Sequence, residues 1–198
     1  MTPTISLYSA PTLSAVLWPR HDIVRNALLA LGGSVLLALS AKVQIPFWPV
    51  PMTMQTYVVL VLAMAYGWRL GGSTMLLYLA EGALGLPVFA GTPEKGVGLA
   101  YMMGPTGGYL AGFLLASVVA GMLAERRWDR SWLRAGAAML LGHAVVFAAG
   151  VAWLATLVGF DQAVALGFTP FIAATVAKIV LGLATMPLAW RLCPRPMY

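Results

Sequence analysis

Residues 171–187 read FIAATVAKIVLGLATMP, an apolar run with a single lysine, Lys178, inside it. From Gln162 to Trp190 no other side chain is charged. At 1.5 Å rise per residue, Lys178 lies about 12 Å along its helix from Pro170. A lysine at the centre of a membrane helix costs on the order of 2.5–3.5 kcal/mol on insertion scales. Three roles are open to it. Its stem can snorkel to an interface, a long reach from this depth in either direction. Its ammonium can pair with Glu81. Or it can meet the anionic part of a ligand inside a helix bundle, the default reading of an ionisable group in a membrane span. Thr175, three residues earlier, shares its helical face and adds a hydroxyl to any such pocket.

The rest of the chain has the same character. Of 198 residues, 61% are hydrophobic and 9% charged, against roughly 25% charged in an ordinary soluble domain. Mean hydropathy is +0.86. A soluble domain of this size has no interior large enough for so much apolar surface, so the fold class is all-α integral membrane. Disorder and a disulfide scaffold are excluded, and the lone Cys193 has no intrachain partner. The net charge of +6 does not mark a nucleic-acid binder, because the charges cluster at the ends of apolar segments, where they set topology.

Six helical segments are expected, near residues 26–41, 53–66, 70–84, 107–124, 133–158 and 171–191. The first reaches a full span if it starts near Ile23. Pro46, Pro49 and Pro51 forbid regular helix ahead of the second. Residues 1–22 read as a loose or interfacial leader without the basic start of a signal peptide, 23–191 as the membrane domain and 192–198 as a short tail. With the N-terminus placed in the cytoplasm, every arginine (20, 25, 69, 126, 127, 130, 134, 191 and 195) falls on the cytoplasmic side. Only Lys42 and Lys95 fall opposite. That asymmetry predicts an even number of spans with both termini cytoplasmic.

The two unusual loops both lie on the external side. One carries the three prolines with Phe47 and Trp48; the other is glycine-rich and runs to GPTGGY, residues 104–109. Compact long loops often serve as lids or binding loops. Gly104, Gly107 and Gly108 can bring backbone amides to a ligand at a helix N-terminus, or simply form a loop-to-helix junction. Tyr101 and Tyr109 can stack on a small ring or belong to an interfacial aromatic belt. Glu81 is open between a structural partner and a pocket residue. His143 stands alone, with no second histidine or carboxylate nearby in sequence to make a metal or base set. Ala30, Ser34 and Ala38, with Gly33 beside them, form a small-residue ridge that admits a neighbouring helix, in this chain or another. No nucleophile elbow, zinc spacing, carboxylate pair or nucleotide-binding motif is present. Uphill transport would therefore draw on an ion gradient or another protein.

Three stretches in this order, IPFWPVPMTMQT, GALGLPVFAG and GLAYMMGPTGGYLAGF, closely resemble the BioY family, the biotin-binding S components of energy-coupling factor (ECF) transporters. TPFIAATVAK is similar to that family's last-helix motif. The resemblance implies a six-helix S-component bundle in the cytoplasmic (inner) membrane of a prokaryote, with a biotin pocket near the external face beneath the two loops. It implies a transmembrane T component and two cytoplasmic ATPases as partners, with Ala30, Ser34 and Ala38 as the T-component contact. Biotin is then the transported ligand, and no cofactor is expected. The chain departs from the family pattern at Thr175, where an aspartate is common, at Gly96, where an asparagine can stand, and at Leu110, where a basic residue can follow GGY. Backbone groups around Gly96 to Gly98 are expected to compensate. Lys178 is expected to neutralise the carboxylate or bind the ureido oxygen, with Gln55, Tyr101, Tyr109 and Thr175 as polar contacts. An S component for another water-soluble vitamin and a purely structural membrane subunit are the alternatives.

Overall fold

A computed structural model of the chain describes residues 12–19, 22–45 and 48–193. Its elements are α1 (Leu13–Leu17), α2 (Ile23–Lys42), a small antiparallel hairpin of β1 (Gln44–Ile45) and β2 (Met52–Thr53), α3 (Gln55–Tyr66), α4 (Trp68–Ala83), α5 (Gly98–Met102), α6 (Gly107–Ala124), α7 (Trp132–Val158), α8 (Phe160–Gly167) and α9 (Ile172–Leu192). The six long helices α2, α3, α4, α6, α7 and α9 coincide with the six expected segments to within a few residues.

By length and composition, Ile23–Lys42, Gly107–Ala124, Trp132–Val158 and the stretch Phe160–Leu192 containing α9 are apolar enough to cross a membrane. The 12-residue α3 and the 16-residue α4 are shorter. Their lengths of about 18 and 24 Å fall below a hydrocarbon core of about 30 Å. The reason is local. The proline-rich stretch delays the start of α3, and Gly67, at φ 81°, separates it from α4. The expected loop after α7 is corrected as well. Gly159 at φ 86° breaks the chain direction, and residues 160–167 then form α8, which buries Ala163 and Gly167.

The distribution of side chains is that of a protein solvated by lipid. Leu28, Leu39, Leu140, Val176, Val180 and Leu188 are exposed on the long helices, whereas Arg25, Gln55, Asp129, His143 and Lys178 are buried. Helices α6 and α7 form the centre. Close approach is enforced at Gly108, where an added Cβ would lie 2.2 Å from Trp153 Cβ and 2.6 Å from the Ala149 carbonyl oxygen.

The arginine-rich connections gather at one end. The Arg25 guanidinium donates to the Ser14 carbonyl at 2.6 Å, tying α1, part of the expected leader, to α2. The Trp68 amide donates to the Glu125 carboxylate at 3.3 Å. The Arg191 guanidinium sits 5.7 Å from the centre of the Trp132 ring. At the same end Trp190 Nε1 donates to buried Asp129 Oδ2, and the Arg130 guanidinium stacks 4.1 Å from the Trp190 ring centre. This cluster joins the turn after α6 to the end of α9.

Burial pushes the Asp129 carboxyl up from its usual 3.8 to about 6. Between roughly pH 6 and 4 the folded chain therefore holds a proton that the unfolded chain releases. Stability is gained as pH falls through that window and lost as it rises. Wild-type protein in detergent is expected to gain a few degrees in Tm between pH 7 and pH 5 relative to Asp129→Asn. Parallel Tm curves for the two proteins would show that Asp129 does not titrate there.

Candidate functional site

At the opposite end the loops between helices are fastened by side chains. Four carbonyls of one loop are held from outside it: Val88 by the Tyr78 hydroxyl at 2.9 Å, Ala90 by the Tyr101 hydroxyl at 2.8 Å, and Phe89 and Thr92 by Lys42 Nζ at 3.0 Å each. Lys42 also donates to Thr92 Oγ1 at 3.0 Å. The Phe89 ring stacks on Tyr101 and meets Tyr78 edge-on. Lys42 thus joins the end of α2 to the loop that places Ala90. Lys42→Met, which removes all three of these hydrogen bonds, is expected to speed amide exchange across residues 88–95 at least about tenfold, the scale of a single charged hydrogen bond. Lys42→Arg should keep most of the protection. Unchanged exchange in the methionine variant would remove this role.

Beneath this frame lies a cavity of about 40 Å³. Val50, Pro51 and Thr53 from the hairpin, Gln55 and Thr56 from α3, Ala90, Thr106, and Tyr109 and Phe113 from α6 line it. His143, Val146 and Phe147 from α7, Phe171, and Thr175 and Lys178 from α9 complete the lining. A second hollow of about 280 Å³ lies between the hairpin and α9, walled by Val43, Gln44, Ile45, Met52, Thr53, Met54, Ala174 and Lys178. Thr53 and Lys178 border both spaces. Lys178 is only 7% exposed. Its ammonium makes no hydrogen bond or ion pair with any described residue. Elsewhere in the chain α9 is tied to α3 by the Tyr57 and Thr185 hydroxyls, 2.7 Å apart.

The expected site residues divide into two groups. Lys178, Thr175, Gln55 and Tyr109 converge on the cavity. The others stand outside its lining. Glu81 accepts from the Ser34 hydroxyl at 2.9 Å, so it does not partner Lys178. Tyr101 is committed to the Ala90 carbonyl. The Gly104 carbonyl accepts from Trp153 Nε1 at 2.9 Å. Gly107 and Gly108 let the start of α6 pack against the Met102 backbone and against α7, since a Cβ at Gly107 would lie 2.0 Å from the Met102 carbonyl oxygen. The glycines of GPTGGY thus serve packing of the chain on itself. Gly96 and Gly98, at φ 93° and 67°, shape the loop and do not reach the cavity. Leu110 is buried in the core.

The small-residue ridge also turns inward in part. Ser34 is buried, with its hydroxyl on Glu81, while Ala30 and Ala38 are half-buried. At Gly33, beside the ridge, an added Cβ would lie 2.6 Å from Thr74 of α4, so that point of α2 packs against the chain's own helix. The cavity lining also takes in Thr53, Thr106 and Phe171, which no sequence motif singled out, and His143, which stood alone in sequence as a metal or base candidate. His143 is 2% exposed and its Nδ1 lies 2.8 Å from the Met139 carbonyl oxygen. A buried polar group on an otherwise apolar helix was the available signal.

Comparison with known proteins fits this arrangement. The model of the BioY family matches residues 10–195. The chain is 38% identical over 149 residues to the biotin transporter BioY of Thermotoga maritima, covering 75% of this chain and 85% of that one. It is 37% identical over 143 residues to the probable biotin transporter BioY of Pyrococcus horikoshii, covering 72% and 82%. It is 34% identical over 164 residues to the probable biotin transporter BioY of Rickettsia prowazekii, covering 81% and 78%. Among solved structures, the S component for biotin from an ECF-type ABC transporter superposes with a TM-score of 0.73 at 22% identity, covering 85% of this chain and 92% of that one. At that identity the likeness is one of fold, and it gives this chain the helical S-component fold. With the family model spanning nearly the whole sequence and relatives this similar over most of it, the chain belongs to the BioY family.

Proposed function

We propose that this multi-pass membrane protein binds biotin and serves as the substrate-specific subunit for its uptake. The observation that carries the reading is the cavity. A bundle lined by Tyr109, Phe113, Phe147 and Phe171 places an ammonium without a partner among the described residues, that of Lys178, among Gln55, Thr53, Thr106 and Thr175. Biotin presents a carboxylate, an apolar tail and sulfur ring, and a ureido group that both donates and accepts hydrogen bonds. Aromatic walls with a few placed polar groups and one cation suit that combination. The names of the relatives, biotin transporters, favour this solute over another small anionic one.

A 40 Å³ space has room for about three waters, while small-molecule pockets run to about 300–1,000 Å³. Ligand entry therefore requires the walls to move. The 280 Å³ hollow beyond Lys178 gives the hairpin room to do so. In this reading Lys178, Gln55, Thr175 and Tyr109 contact the ligand, while Tyr101, Glu81 and the glycines 96, 98, 104, 107 and 108 hold the surrounding frame. All six long helices span the cytoplasmic membrane, with α3 and α4 completed by their flanking segments and with both termini on the arginine-rich cytoplasmic side. A transmembrane T component and two cytoplasmic ATPases supply the energy, since the sequence has no nucleotide-binding motif of its own. Calorimetric titration of the detergent-purified chain with biotin, with thiamine and riboflavin as controls, tests the proposal. Saturable binding of biotin alone is expected; folded protein that fails to bind biotin would overturn it.

A further inference from the structure

His143 carries a feature that the cavity's aromatic walls do not explain. Its Nδ1 lies 2.8 Å from the Met139 carbonyl oxygen of its own helix. A carbonyl only accepts, so Nδ1 holds the hydrogen. In the neutral ring this leaves Nε2 as an acceptor, and that atom is buried without a partner. The residue lines the same cavity as Lys178 and Gln55. Lys178 can only donate, and the amide nitrogen of Gln55, buried beside the Tyr78 hydroxyl but without a well-aligned hydrogen bond, donates too. A ligand that satisfies all three must therefore offer an N–H group to His143 as well as oxygen acceptors to Gln55 and Lys178. Leaving such groups unpaired in a buried site is costly, so a site built this way discriminates sharply against ligands that lack the matching group.

Resting on the biotin reading above, we propose that His143 Nε2 accepts one ureido N–H of biotin while the Gln55 amide donates to the ureido carbonyl. The two residues thereby select for a cyclic urea. They take the ring end of the ligand, leaving the carboxylate to Lys178 at the border of the second hollow.

The probes are biotin and its two cyclic-carbamate analogues, in which one or the other ring N–H is replaced by oxygen with little change of shape. Each is titrated against wild-type protein, His143→Leu and His143→Gln, with Tm measured for each variant. Wild-type protein should bind one carbamate about tenfold more weakly than biotin and the other nearly as well as biotin. His143→Leu should bind biotin about tenfold more weakly and lose the preference between biotin and the weak carbamate. His143→Gln offers an amide oxygen near the Nε2 position and should recover part of the preference even if the leucine variant folds poorly. Equal binding of both carbamates and biotin by wild-type protein would overturn the assignment, as would a carbamate penalty that persists undiminished in His143→Leu. A wild-type protein that binds no biotin would instead sink the transport reading itself.

Discussion

Lys178→Met is expected to weaken biotin binding by roughly a hundredfold, about 3 kcal/mol, the scale for truncating one partner of a buried hydrogen-bonded charge pair. The ammonium is nearly fully buried and has neither a counter-ion nor a hydrogen-bond acceptor among the described residues. A buried charge is tolerated when an opposite charge completes it, and the only formal charge on biotin is its carboxylate. Wild-type protein should therefore prefer biotin to its neutral amide, and the methionine variant should bind both alike. Ligand-free stability should move the other way. Methionine keeps the apolar stem and removes an uncompensated charge, so the Tm of the ligand-free variant should hold or rise. That divergence separates a binding role from a structural one. Equal weakening for biotin and the amide would instead place Lys178 on the ureido oxygen. Unchanged affinity for biotin would remove it from the site.

Gly108→Ala is expected to be strongly destabilising for a single added methyl at the cavity end of the bundle. The new Cβ would press on Trp153 Cβ at 2.2 Å and on the Ala149 carbonyl oxygen at 2.6 Å, so α6 and α7 must separate rather than a side-chain tip swing away. Overpacking of this kind costs about 2–3 kcal/mol, or roughly 5–10 °C in Tm. Gly32→Ala is the control. Nothing lies within 4 Å of its added Cβ, and alanine favours helix, so its Tm should stay level or rise slightly. Similar melting of the two variants would show that α6 and α7 tolerate a wider spacing than their contact implies.

Much of the helical framework was legible in the sequence. Apolar runs bounded by arginine mark α2, α6, α7 and α9 because lipid solvates their sides and water their ends. The arginines of the connections do gather at one end, as the contacts of Arg25, Arg130 and Arg191 show. Arg20, Arg195, Pro46 and Phe47, which the sequence also points to, lie outside the described residues. The helix α8 was missed because an eight-residue segment after a glycine break reads as loop when only the composition of the connection is weighed.

The site was legible only where a residue was costly in its own helix. Lys178 stood out because a charge in an apolar run demands a reason. His143 was discounted for having no ligand or base nearby in sequence, yet its cavity neighbours come from α3 and α9. The glycines of GPTGGY were ambiguous for a physical reason: a missing Cβ admits a ligand or another helix equally well, and here it admits Trp153 and the Met102 carbonyl.

Composition and charge order by themselves determined that this chain is a helical membrane protein with one basic end, because the transfer energies of apolar and charged side chains act residue by residue. Which side chains share a cavity was decided only by the tertiary structure. Convergence of Gln55, His143 and Lys178 depends on how far three helices are rotated and how closely they pack. That is set by the small residues and the capped carbonyls between them, and no single segment carries the information.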